Sequence, residues 1–135
     1  MAKYFIEVEK GGRFEIELDE AAPATAAAFR AFMEKNDGYE AHCLQGRFSG
    51  EEMYFSAPLG STEQENNIRP SIGGVCFNPD PDWSAVCIYW GEHIADKKHY
   101  HNLFGHLKGD MKELTEVGTR IWQKGGENVV LRREE

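Results

Sequence analysis

Ser84-Ala85-Val86-Cys87-Ile88-Tyr89-Trp90 is the stretch on which the fold turns: the chain's long uninterrupted apolar run, set between Pro81-Asp82 and Gly91-Glu92. A buried helix is the competing reading. The run is short for a helix, has no capping residue in a useful place, and mixes β-branched with aromatic side chains, so it reads as a strand covered on both faces. Such a strand belongs at the centre of a sheet or in a barrel wall.

Moving upstream, Gly73-Gly74-Val75-Cys76-Phe77 is a strand ended by Asn78-Pro79-Asp80-Pro81, and Gly60 to Pro70 is a polar loop. Glu51 to Ala57 alternates at period two, which predicts Glu52, Tyr54 and Ser56 on one face and Met53, Phe55 and Ala57 on the other, core-facing one. Glu40 to Gln45 is a further strand. Lys3 to Glu9 and Arg13 to Leu18 form a hairpin about Gly11-Gly12, and Pro23 opens an Ala-rich helix carrying Phe29, Phe32 and Met33 that ends before Asn36-Asp37-Gly38.

Downstream of the run, Gly91 to Lys98 is a polar connection and Tyr100 to Lys108 is extended. Asp110 and Glu113 have capping-box spacing and open a second helix with Met111, Leu114 and Val117 on one side, which Gly118 is expected to interrupt or end. After Gly125-Gly126 comes the last strand, Glu127 to Arg132. About eight strands and two helices predict a mainly β chain, an eight-stranded β-barrel with a helix over each open end.

The 135 residues fit one domain, residues 1–135, with enough chain to bury a core. A formal net charge of −8 argues against phosphate backbones or anionic membranes as the main partner, so no nucleic acid and no membrane is expected. With no signal-like N-terminus and no membrane-length apolar stretch, the expected location is cytoplasmic. The 3 cysteines, Cys43, Cys76 and Cys87, lie within strands without Cys-x-x-Cys spacing and read as buried thiols; His42 beside Cys43 points to the opposite face.

The order of elements and several segments resemble the cyclophilins. Gly12 to Leu18, followed by Ala22-Pro23-Ala24-Thr25 and Phe29-Arg30-Ala31-Phe32, is similar to the cyclophilin strand, Pro-x-Thr helix start and helical Phe; His101-Asn102-Leu103-Phe104-Gly105 with Gly109-Asp110-Met111 is similar to the His-x-x-Phe-Gly segment. The middle of the chain, from Gly50 to Pro58 and through Glu65-Asn66, Arg69 and Gly74-Val75 to Ala85–Gly91, is nearer the small prokaryotic cyclophilin-like domains of uncharacterised function. The resemblance implies a closed eight-stranded cyclophilin-like β-barrel with two capping helices.

Cyclophilins isomerise X-Pro bonds, which takes an Arg that hydrogen-bonds the twisting amide above an apolar floor. The resemblance sets Leu44-Gln45-Gly46 against the cyclophilin Phe-His-Arg segment, so glycine stands where that Arg belongs and Arg47 follows one residue late. His101 matches a pocket residue. These residues imply a barrel that binds a small molecule or short peptide where cyclophilins bind proline, with Arg47, Glu52, Tyr54, Tyr89 and His101 as the ligand-binding set.

Two alternatives stand beside it: a prolyl isomerase using the displaced Arg47, and a metal-dependent enzyme using His93, His99, His101 and His106. His99-x-His101 is a strand His pair of the kind metal-binding barrels use, but the acid that should follow it is missing, so no resident metal or other cofactor is expected. Glu51-Glu52 reads as a solvated edge pair rather than an acid–base pair, and Arg69 as a partner for the surplus acids. Tyr89 and Trp90 point to opposite faces of the central strand, one of them to the core.

Overall fold

In a computed structural model that describes residues 1–46, 50–61, 63–94 and 100–135, eight strands and two helices follow one another along the chain. The strands are β1 (Lys3–Val8), β2 (Arg13–Leu18), β3 (Tyr39–Gln45), β4 (Glu52–Ser56), β5 (Gly74–Asn78), β6 (Ala85–Tyr89), β7 (Asn102–Lys108) and β8 (Glu127–Glu134). Helix α1 (Pro23–Lys35) follows β2, and α2 (Met111–Lys124) precedes β8. The strands pair antiparallel in the order β1-β2-β7-β5-β6-β4-β3-β8, and β8 pairs with β1 to close the barrel. The apolar run forms β6 between β4 and β5, with all its residues buried, as expected of a strand covered on both faces.

Period-two alternation fills the barrel. Tyr4, Ile6 and Val8 from β1, Phe14 and Ile16 from β2, Met53 and Phe55 from β4, Val75 and Phe77 from β5, and Val86 and Ile88 from β6 share one interior cluster. On β7 the register against β5 jumps from Gly105 to Leu103. The extra residue, Phe104, makes a bulge that resets the alternation, and both Phe104 and Leu107 reach the interior.

The helices bury one face each against this cluster. From α1, Phe29 packs edge-on against Tyr4 at 5.3 Å and tilted against Phe104 at 5.5 Å, and Met33 is fully buried. From α2, Leu114, Val117 and Ile121 are buried. Asp110 caps α2 by accepting the Lys112 N–H at 2.9 Å. The expectation that Gly118 breaks this helix is corrected: α2 runs through it to Lys124. A Cβ at 118 would lie 2.0 Å from the Trp90 ring, so glycine is there to admit the indole, and intrahelical hydrogen bonds on either side carry the helix across it. No helix among the described residues is long and apolar enough to cross a membrane.

Candidate functional site

The residues of β4, β5, β6 and β7 that alternate with the interior set point outward, and they too are largely covered. Cys76, Ala85, Cys87, Tyr89 and Leu103 form a second apolar cluster with Ile94, and Tyr54 and Ile72 pack against it. Strand register lines part of it into a row that crosses the wall: Leu44 opposes Tyr54, Tyr54 opposes Cys87, Cys87 opposes Cys76, and Cys76 opposes Leu103. Ile72 and Ile94 come from the connections before β5 and after β6, so loops roof an outer wall that would otherwise meet water.

That roof is held at several points. Asn102, fully buried, accepts from the Glu65 N–H and the Asn67 amide and donates to the Glu63 carbonyl and the Thr25 hydroxyl. Asn66 donates to the Leu103 carbonyl at 2.8 Å, and the Arg69 guanidinium donates to the Ile94 carbonyl, tying one connection to the other. Glu65 reaches the start of α1, where its carboxylate accepts the Ala24 and Thr25 N–H groups at 3.3 and 2.7 Å. These are orphan donors of the first turn, which Ala22 at the cap position has no side-chain oxygen to satisfy.

Of the residues singled out from sequence, Glu52, Tyr54 and Tyr89 come together on this outward face, with Glu52 directly opposite Tyr89. Tyr54 is half-buried and meets the exposed Trp83 edge-on at 6.3 Å, leaving an aromatic rim beside the covered cluster. Tyr89 is fully buried, so it forms part of the floor and has no surface of its own to offer. Burial first, and then the nearby Glu52, raises the pKa of its hydroxyl and keeps it protonated. His101 is half-buried just before β7, on the side of the chain that alternation shares with Leu103. Arg47 lies outside the described residues, as does His99.

The Glu51-Glu52 pair departs from its expected solvated edge, since Glu51 is 1% and Glu52 6% exposed. Gly46 explains part of this. Its N–H donates to the Glu52 carbonyl at 2.8 Å, and a Cβ at 46 would come within 2.4 Å of Glu52 Cγ and 3.1 Å of Cδ. The Glu52 side chain therefore takes the space that a side chain at 46 would need.

Among the other histidines, His93 is exposed and His106 contacts the Asp19 carboxylate at 3.1 Å. Among the described residues, no group of three or more His, Cys, Asp and Glu side chains is placed to hold a metal ion. Cys43 faces the interior, where burial pushes its thiol up to about 12, well out of reach of a neutral-pH nucleophile. Trp90 also faces inward and meets Trp122 at 6.3 Å. A separate cleft of about 370 Å³ between the β1–β2 turn and α2 is lined by Asp110, Glu113, Glu116 and Arg120. Its arginine is engaged in a two-point ion pair with the buried Glu127 carboxylate, at 2.5 and 2.8 Å.

Sequence reasoning missed Cys76, Cys87, Leu103 and Trp83 as parts of this face. The signal was present for Cys76 and Cys87, each of which stands between two interior residues, and weaker for Leu103, which has Phe104 on one side but the polar Asn102 on the other. Trp83, in the turn before β6, gave none.

No protein-family model matches the chain, and no curated protein matches it in sequence. In fold it is similar to McbB, whose structure was determined in complex with tryptophan, with a TM-score of 0.78 at 18% identity over 96% of this chain and 44% of that one. The chain thus spans less than half the length of McbB. It is also similar to a hypothetical protein from Archaeoglobus fulgidus solved in solution, with a TM-score of 0.61 at 22% identity over 98% of this chain and 94% of the other. At such identities the likeness shows a shared barrel fold and nothing of the chemistry.

Proposed function

We propose that the outward face of β4, β5, β6 and β7 is a ligand groove, cyclophilin-like in position, that binds a small molecule or short peptide through an apolar part and a hydrogen-bonding or cationic part. The observation that carries this reading is the second apolar cluster outside the barrel, with the half-buried Tyr54 and exposed Trp83 at its rim. Apolar floors with a few polar groups at the edge are the usual make-up of small-molecule sites. Tyr54 supplies a ring to cover the apolar part, while Glu52 and His101 supply a carboxyl group and an imidazole as polar partners. Arg47, outside the described residues, belongs to the same proposed set.

Prolyl isomerisation finds less support. The position where the cyclophilin resemblance calls for a guanidinium is glycine, and the space in front of it is taken by the carbon chain of a carboxylate. That exchange favours ligands with N–H or cationic groups over a proline amide carbonyl. McbB was solved with tryptophan, which makes aromatic amines and amino acids sensible first probes.

The test is a thermal-shift screen of aromatic amines, small acids, amides and proline peptides against the wild-type chain, Tyr54→Ala and Phe55→Ala, with titration of each hit. The expected result is a hit whose affinity falls at least about tenfold in Tyr54→Ala, equivalent to roughly 1.4 kcal/mol, while that variant keeps a near-wild-type melting temperature. A hit unaffected by Tyr54→Ala, or a Tyr54→Ala protein as unstable as Phe55→Ala, removes the assignment of this face.

A further inference from the structure

Cys76 and Cys87 are directly opposed across the antiparallel β5–β6 ladder. The kind of ladder site they occupy follows from the neighbouring pair of strands. Trp90 N–H donates to the Glu51 carbonyl and Ala57 N–H to the Ser84 carbonyl, so the even-numbered residues along β6 turn their backbone groups toward β4. The odd-numbered ones, Cys87 among them, turn theirs toward β5. Cys76 and Cys87 thus occupy a hydrogen-bonded site, at which opposed Cα atoms ordinarily stand about 5.5 Å apart. Disulfides span Cα separations of roughly 4.4 to 6.8 Å.

Direction agrees with distance. Both cysteines belong to the outer cluster, whereas Val75, Phe77, Val86 and Ile88 on either side of them face the interior. Each also lies near enough to the Tyr89 hydroxyl for its charge to bear on that group. Cys43 is different: it faces the interior, and its ladder partner is Glu127. All three are thiols in this structure.

We propose that Cys76 and Cys87 form a dithiol site in the outer wall that closes to an intramolecular disulfide by exchange with a small organic disulfide. Cys87, at 6% exposure, meets the reagent first, and Cys76 at 0% is the resolving thiol. The Cys87 thiolate attacks one sulfur of the small disulfide, forming a mixed disulfide and expelling a thiolate. The Cys76 thiolate then attacks the Cys87 sulfur and expels the second small thiolate. The two protons lost by the cysteines end on the two small thiols, and the two electrons the cysteines give up reduce the reagent. The site lies between Tyr54 and Leu103 in the cross-wall row, yet its chemistry requires no ligand there, so it stands or falls apart from the proposed groove.

The experiment incubates the folded chain with 2-hydroxyethyl disulfide, quenches with acid, unfolds, alkylates with N-ethylmaleimide, and reads intact mass and a proteolytic map. The expected product has lost two of its three alkylatable thiols and two hydrogens, its map joins the Cys76 and Cys87 peptides, and Cys43→Ala loses the same two. Cys76→Ala should instead hold a hydroxyethylthiol adduct at Cys87. A folded wild-type chain that keeps all its alkylatable thiols, bridges through Cys43, or links only between two chains overturns the proposal, and this arm does not depend on any variant folding.

Discussion

Gly118 is in the middle of a helix because Trp90 occupies the place of its side chain. Replacing glycine by alanine in a helix interior ordinarily gains about 1 kcal/mol. Here the new Cβ would fall 2.0 to 2.5 Å from three atoms of a core indole that is 2% exposed, and overpacking of that kind costs roughly 1 to 3 kcal/mol or more. Gly118→Ala should therefore lower the denaturant midpoint and alter Trp90 fluorescence; a more stable variant with an unchanged spectrum would show that the contact is not tight. Gly46 makes a parallel case with a chemical consequence. With the Glu52 side chain against it, Gly46 brings no guanidinium where the sequence resemblance to cyclophilins calls for one, and cis–trans exchange of an X-Pro test peptide should be accelerated little or not at all. An ordinary cyclophilin rate, abolished by Arg47→Ala, would reverse that expectation.

Among the elements, the strands were legible because each carries its own alternation, and β6 because an apolar run of that length has few other uses. What alternation does not report is whether the second face of a strand meets water. Cys76, Cys87 and Leu103 could be assigned a side but not a cover, since the cover comes from Ile72 and Ile94 in segments that read only as loop. Glu65 was invisible for the same reason. It caps a helix far upstream, and no local pattern announces that. Glu65→Ala should cost about 1 to 2 kcal/mol through the lost cap, and should speed proteolysis between Ala57 and Gly73 because that segment would lose its side-chain tie to α1 while keeping its backbone and Asn67 bonds to Asn102. If thermal stability and cleavage rate are both unchanged, the carboxylate is not holding the α1 terminus. Within β4, Phe55→Ala should cost roughly 3 to 5 kcal/mol as an interior truncation, far more than Tyr54→Ala.

At the scale of the whole molecule, three carboxylates link folding to pH, the first of them Glu7, which the Arg132 and then the Arg13 guanidinium hold below its ordinary value. The Arg120 guanidinium holds Glu127 below its ordinary value of 4.5, and the Ala21 N–H, then His106, hold Asp19 below 3.8. A depressed carboxylate stabilises the fold fully above its unfolded value, and that contribution is lost as pH falls through the folded one. Denaturation midpoints should consequently fall on acidification below about pH 4.5. Arg120→Met should destabilise the chain at neutral pH, toward the lower end of the roughly 3 to 5 kcal/mol for breaking a buried pair, because Arg120 keeps 26% of its side chain in water. It should also shrink the acid-side loss; an Arg120→Met protein with wild-type pH dependence would remove Glu127 from this account.

Closure of the barrel bears on recognition as well. Since β8 joins β1, each described strand already has a neighbour on both sides, and among the described residues no strand ends the sheet for a peptide to join as a ninth. A peptide bound to this protein would be gripped chiefly by its side chains and termini, without a continuous ladder of its own amides. N-methylating those amides, or inverting the chirality of residues outside the contact, should then cost little affinity, whereas the same changes are ruinous to peptides read by strand addition.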